Sequence, residues 1–204
     1  MTATLELCRR LLAIAQTGLA FGDGAFDRER YEEVAKIASL LLAEESRAAP
    51  AALLETWQVE EGYATPKIDV RGAVFRGEQV LLVRERSDGK WTLPGGWADV
   101  NERPSEAVEK EILQESGYRA RAVKLAALYD RNLHGHPRYL YHAWKVFFVC
   151  DLTGGEPRTS IETDAVGFFA LDRLPELSTG RATAAQIQRM WIHAREPLRP
   201  ADFD

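Results

Sequence analysis

Gly96–Tyr118 reads GWADVNERPSEAVEKEILQESGY, and its second half is written as a helix that sets Glu111 and Glu115 one turn apart. Pro104 suits a first helical position, no other proline or glycine follows until Gly117, and Gly117 stands where a left-handed cap stops a helix. Ala107, Val108, Ile112 and Leu113 make an apolar stripe able to pack on a sheet. Residues four apart share a helix face, so Glu111 and Glu115 are expected to converge at the edge of that stripe. Two carboxylates on a rigid platform suit a hard cation.

The residues on either side read as a sheet that carries this helix. Arg71–Arg86, RGAVFRGEQVLLVRER, predicts a hairpin with its turn around Gly77 and a buried strand over Val80–Val83. Trp91, Thr92, Leu93, Pro94, Gly95 and Gly96 follow, and paired glycines let a backbone approach a phosphate or a metal.

The stretch resembles the signature of the Nudix hydrolases, G-x5-E-x7-R-E-U-x-E-E-x-G-U with U a bulky aliphatic, and the residues before it resemble the W-x-L-P-G-G lead-in of those domains. Gly96, Glu102, Glu111, Ile112, Glu115 and Gly117 fall on the pattern. Lys110 replaces the arginine, Gln114 the first acid of the E-E pair, and Tyr118 the terminal aliphatic. Lysine keeps the charge without the planar fork, and glutamine keeps a metal-binding oxygen without the charge. The resemblance implies an α/β/α sandwich with a mixed sheet. It also implies Mg²⁺ or Mn²⁺ held by Glu111, Glu115, Gln114 and the Gly96 carbonyl, with Glu102 ordering the loop or making an outer-shell metal contact and Lys110 paired to it or to another box carboxylate.

Composition narrows the remaining possibilities. The chain has 204 residues and a formal net charge of −5, with no lysine or arginine track of the kind that nucleic-acid backbone binding requires. No apolar run approaches the roughly 20 residues of a membrane span, and the N-terminus lacks the basic start and clean apolar core of a secretory signal. Cys8 and Cys150 form neither a disulfide framework nor a metal-ligand spacing and are expected as buried thiols of a cytoplasmic protein.

A composition shift near residue 62 divides the chain into a helical extension, 1–62, and a catalytic domain, 63–204. Leu5, Cys8, Leu12, Ala15 and Leu19 share one helical stripe. After a turn over Phe21–Phe26, Asp27 is expected to cap a second helix with Tyr31, Val34, Ala38, Leu41 and Leu42 on its inner side. Pro50 opens a third short helical stretch through Trp57, and Gly62–Pro66 is the linker. Two such helices cannot bury both stripes alone, so they are expected to pack on the catalytic domain or on a second subunit, and a homodimer built partly by this segment is predicted. The run AQTGLAFGDGAFDRERYEEVAKIA resembles the extension of the Nudix subgroup acting on X-linked nucleoside diphosphates, including CDP-choline and ADP-ribose pyrophosphatases. The likeness continues through ALYDRNLHGHP and IETDAVGFFALDRLPELSTGR.

Beyond the box, strands are expected at Val123–Tyr129, Trp144–Asp151 and Val166–Phe169, and a closing helix over Thr183–Arg195. Arg131, Asn132, His134 and His136 form a polar loop after a strand end and are substrate-binding candidates, with Arg71 and Arg84 from the hairpin. Glu162 and Asp164 lie on a loop where several Nudix enzymes carry a catalytic acid, and Trp57, Trp91 or Trp97 is placed to stack a nucleobase. The activity implied is metal-assisted attack of water on a nucleoside diphosphate linked to X, giving NMP and X-phosphate. The general base stays open between a box carboxylate and the Glu162 loop. A nucleotide-binding or sensing module weakened by Gln114, or an RNA-processing Nudix enzyme, are the alternatives.

Overall fold

A computed structural model describes residues 3–46 and 62–204. They fall into two units. One takes the chain up to Pro66 together with Leu140–His142, and the other takes Lys67–Tyr139 and Ala143–Asp204.

In the first unit α1 (Ala3–Phe21) and α2 (Ala25–Ser46) are joined across three residues. Leu5, Cys8, Leu12 and Ala15 are buried as their spacing predicts, and Ala38 and Leu42 answer them from α2. The helices cross closely where Gly18 meets the Tyr31 ring, since a methyl there would lie 2.3 Å from it. Asp27 does not cap α2, which begins two residues earlier; it sits in the first turn, where a carboxylate still favours the helix dipole. Leu41 is exposed rather than inward. The stretch expected as a third helix, with Trp57, lies outside the described residues.

The second unit is a mixed sheet with a helix on each face. Strand β1 (Lys67–Arg76) turns at Gly77 into β2 (Gln79–Glu85), but the hairpin keeps only two registered pairs, Phe75 with Val80 and Arg76 with Gln79. Beyond them the strands part. β1 runs parallel to β5 (Ala143–Gly155), and β2 pairs antiparallel with β3 (Trp91–Thr92) and β6 (Thr163–Ala170). β4 (Tyr118–Asp130) lies antiparallel beside β5 and carries the short parallel β7 (Asp202–Phe203).

Helix α3 (Pro104–Ser116) covers one face, where Ala107, Val108 and Ile112 pack with Val70, Val74, Val146 and Phe148. Gly72 lets it sit low, because a methyl there would lie 2.6 Å from Ile112. Each large aliphatic side chain buried in this way contributes about 1.5–3 kcal/mol. Leu113 is 40% exposed and leaves the expected stripe. Gly117 stops the helix in the left-handed region at φ 75°, its N–H bonded to the Leu113 carbonyl. Helix α4 (Ala184–Arg195) covers the other face with Ile187 and Met190, capped reciprocally by Thr183 and Gln186. Cys8 and Cys150 are buried and form no disulfide, and burial pushes the Cys150 thiol up to about 12.

Candidate active site

The site is assembled where the double-glycine loop crosses the end of β1. The Pro94 and Gly96 carbonyls accept from the Gly72 and Val70 N–H groups at 2.9 and 2.8 Å, and Ala98 N–H donates to the Ile68 carbonyl at 3.0 Å. The loop therefore lies flat on the strand. Gly95 has φ 146° and passes so close that a methyl on it would come within 2.0 Å of the Val70 carbonyl oxygen.

This placement delivers the loop to the acidic side chains of α3. Gly95 N–H donates to Glu115 Oε2 at 2.8 Å, and Glu111 sits over Gly96, whose added methyl would lie 3.2 Å from the Glu111 carboxyl carbon. From the other side, Thr163 Oγ1 donates to the Glu115 carbonyl at 2.7 Å and holds the adjoining Glu162 loop to the same helical turn. The Glu162 carbonyl in turn accepts from Arg86 N–H at the end of β2. Glu111, Glu115, Gly96 and Glu162 are thus brought together, and a residue absent from the sequence expectations, Glu85, joins them.

The electrostatics of these acids favour a cation. Burial pushes the Glu115 carboxyl up to about 8, with Glu85 and Glu111 adding to the rise while Arg71 and the Gly95 N–H oppose it. Burial also raises Glu111, and Glu162 and Asp99 raise it further. Glu85 is raised by burial and then by Asp88 and Glu162, although Arg181 lies 3.1 Å away. Glu85, Glu111 and Glu115, each raised by burial and by neighbouring carboxylates, form a site whose charge a divalent ion relieves. Among the described residues no three acidic, histidine or cysteine side chains are gathered closely enough to hold an ion by themselves. An open arrangement of one or two carboxylates completed by substrate phosphates and water suits Mg²⁺. The Gly96 carbonyl keeps a lone pair beyond its bond to Val70, and Gln114 is exposed on the turn between the two acids.

Glu102 and Lys110 form a brace. Lys110 Nζ lies 2.6 Å from Glu102 and 2.9 Å from Asp99, and these bonds raise the Lys110 ammonium. Loop 97–103 is thereby tied to α3.

Several substrate candidates have other tasks in the structure. Arg71 is buried and donates to both Asp69 oxygens at 2.7 and 3.1 Å and to the Leu93 carbonyl at 3.2 Å. It braces the glycine loop from beneath instead of facing solvent. Arg84 pairs with Asp164 at 2.6 Å, which engages both of those candidates. Buried Arg131 donates to the Pro137 and Gly180 carbonyls. His134 meets Asp204 at 2.9 Å and stacks on Tyr129. His136 bonds to the Thr179 carbonyl and to Gln186, and burial lowers its imidazole to about 4, so it is neutral near pH 7. Asn132 donates its N–H to the Asp130 side chain. These bonds shape the polar loop instead of leaving its histidines open to a phosphate.

Sequence reasoning also missed Lys145, wholly buried, with its Nζ 3.0 Å from Asp69 Oδ2. Asp69 lies opposite Lys145 in the parallel register, and burial lowers the lysine to about 8 although Asp69 pulls the other way. The signal available was charge inside two apolar strands, Asp69 and Arg71 in IDVRG and Lys145 in WKVFF.

Comparison with known proteins agrees with this geometry. Residues 2–57 match a family described as a UDP-X-like N-terminal oligomerisation domain, and residues 65–190 match the NUDIX domain. The chain is 45% identical over its whole length to 98% of a putative ADP-ribose pyrophosphatase, YjhB, of Bacillus subtilis. Among solved structures, one of a UDP-X diphosphatase is 34% identical and covers 98% of each chain with a TM-score of 0.64. An ADP-ribose pyrophosphatase of Streptococcus suis, 41% identical, aligns in full with 69% of this chain, also at 0.64. The glycine loop folded onto β1, the acids of α3 above it and the two sandwiching helices are those of one family, and the chain belongs to the Nudix hydrolases.

Proposed function

We propose that the chain is a divalent-metal-dependent pyrophosphohydrolase acting on nucleoside diphosphates linked to X, of the ADP-ribose, UDP-X or CDP-choline kind. The observation that carries the proposal is the group of raised acids Glu85, Glu111 and Glu115 over the Gly95–Gly96 loop, with the Glu162 loop bonded to the same helical turn. The names of the relatives, which cite ADP-ribose and UDP-X, support the substrate class.

Mg²⁺ or Mn²⁺ would be held by Glu111 and Glu115, with the Gly96 carbonyl and the neutral Gln114 oxygen as further donors. When bound, the ion neutralises the diphosphate and makes water a better nucleophile. The chain does the rest. Gly95, by its N–H bond, fixes one oxygen of Glu115 and leaves the other to the ion. Lys110, held by Glu102 and Asp99, keeps the loop in place beneath the substrate. Glu162 is exposed and, among the described residues, its carboxylate has no side-chain partner, so it serves as the base that takes the proton from water. Water adds to one phosphorus, the bridging P–O bond breaks, and NMP and X-phosphate leave.

The deciding experiment is Glu115→Gln. Loss of at least about 100-fold in Mg²⁺- or Mn²⁺-dependent turnover of ADP-ribose, with an unchanged circular dichroism spectrum, is expected. Normal turnover in that variant would refute the site.

The chain is further proposed to be a cytoplasmic homodimer. Leu7, Ile14 and Phe21 are exposed at seven-residue intervals along α1, and the matched extension belongs to an oligomerisation family. Its two thiols, joined in no disulfide, favour a reducing compartment, and among the described residues no helix is long and apolar enough to cross a membrane. A monomeric mass in light scattering would overturn the dimer.

A further inference from the structure

The chain has five tryptophans, and the structure separates their tasks. Trp91 is packed edge-on to Phe169 at 4.5 Å within the core, and Trp191 packs on Phe75 at 5.1 Å with Arg195 above it. Trp144 lies on β5 and Trp57 is outside the described residues. Trp97 alone among those described follows directly on Gly96, which lies beneath Glu111.

Its backbone is pinned while its ring is open. Trp97 bridges Asp69 on the β1 edge, between the bonds that Gly96 and Ala98 make to Val70 and Ile68. The indole nevertheless remains 45% exposed. It stacks on Tyr139, with ring centroids 6.2 Å apart and planes inclined by 23°. The Arg131 guanidinium lies 4.8 Å from the Tyr139 ring and is itself anchored by two carbonyls. A large ring is thus braced in one orientation and left open beside the glycine loop. A flat π face held still is what an incoming heterocycle needs, because the ordering has been done before binding.

We propose that Trp97 is the platform on which the substrate's nucleobase stacks, with Tyr139 and Arg131 fixing the indole. This rests on the nucleoside diphosphate reading above and deepens it. Because every base has a π face, the platform selects for an aromatic ring without selecting strongly among bases. Purine and pyrimidine nucleotides then bind with comparable affinity, and discrimination falls on the X side.

The test is calorimetric titration of the full chain in Mg²⁺ with AMP, UMP and methylenediphosphonate, which has no base and resists hydrolysis. Trp97→Ala should weaken both nucleotides by about 10- to 100-fold and leave the diphosphonate within about twofold. Trp97→Phe should keep the nucleotides within about threefold of wild type. Trp97→Leu, which retains apolar bulk without a π face, should behave like the alanine variant and so separates stacking from packing. Unchanged nucleotide affinity in Trp97→Ala, or an equal loss for the diphosphonate, would overturn the platform. A wild-type chain that binds the diphosphonate but neither nucleotide would overturn it too. A wild type that binds none of the three would instead overturn the hydrolase reading itself.

Discussion

Replacing Asp69 by Asn keeps the shape of the side chain and removes one buried negative charge from between two buried cations. Arg71 would lose two charge-assisted bonds, now 2.7 and 3.1 Å, and Lys145 a partner at 3.0 Å. In the wild type burial opposes the ionised Asp69, yet Arg71 and Lys145 hold its carboxyl below the usual range. Removing one member of such a group costs about 3–5 kcal/mol, because the remaining charges stay buried and uncompensated. Arg71 cannot shed its proton, but Lys145 can. Its ammonium stands at about 8 against 10.5 for a free lysine, a difference of about 3 kcal/mol, and without Asp69 it drops further. A lysine held below its unfolded value takes up a proton on unfolding at any pH between the two, so stability rises with pH across that window. The window runs from about 8 to 10.5 in the wild type and opens lower in the variant. Asp69→Asn should therefore be about 3–5 kcal/mol less stable at pH 6 and recover about 1–2 kcal/mol of that deficit by pH 8. Urea unfolding followed by tryptophan fluorescence at both pH values measures it. A deficit under about 1 kcal/mol at pH 6, or one that widens with pH, refutes the account.

Gly95→Ala would drive a methyl to 2.0 Å from the Val70 carbonyl at φ 146°, so a loss of more than about 2 kcal/mol and of metal binding is expected, read by thermal unfolding and Mn²⁺ electron paramagnetic resonance. Lys110→Met removes a partly exposed brace, so stability should fall by only about 1 kcal/mol while Mn²⁺ affinity falls about tenfold; unchanged affinity would free loop 97–103 of any part in the site. Gln114→Glu adds a charge at an exposed position, so stability should stay within about 0.5 kcal/mol and Mn²⁺ bind more tightly. Turnover should rise less than about tenfold. A much larger gain would favour the weakened-module alternative.

The box helix was legible because its signals are local: Pro104 opens it, Gly117 closes it, and the apolar spacing between them names its buried face. The hairpin turn at Gly77 was legible for the same reason. That β1 leaves β2 after two pairs and joins β5 was not, since parallel pairing leaves no mark in the intervening turns. Glu85 escaped notice because one acid at a strand end looks solvated until Glu162 and α3 arrive over it. Arg71, His134 and His136 looked available for substrate because sequence shows a polar side chain but not the carbonyl or carboxylate that engages it.

The parallel pairing of β1 with β5 has a consequence for how the chain acquires its chemistry. Lys67 meets Ala143, so the strand that supports the glycine loop waits for a neighbour more distant along the chain than the whole signature stretch. Such non-local closure is slow and comes at a high loop-entropy cost. A nascent chain that has emerged only through the box carries Glu85, Glu111 and Glu115 yet lacks both Glu162 and the strand β5 that holds β1 in the sheet. Catalytic competence is therefore a late event in maturation, and substitutions in β5 remote from the signature should surface as delayed recovery of activity after dilution from denaturant.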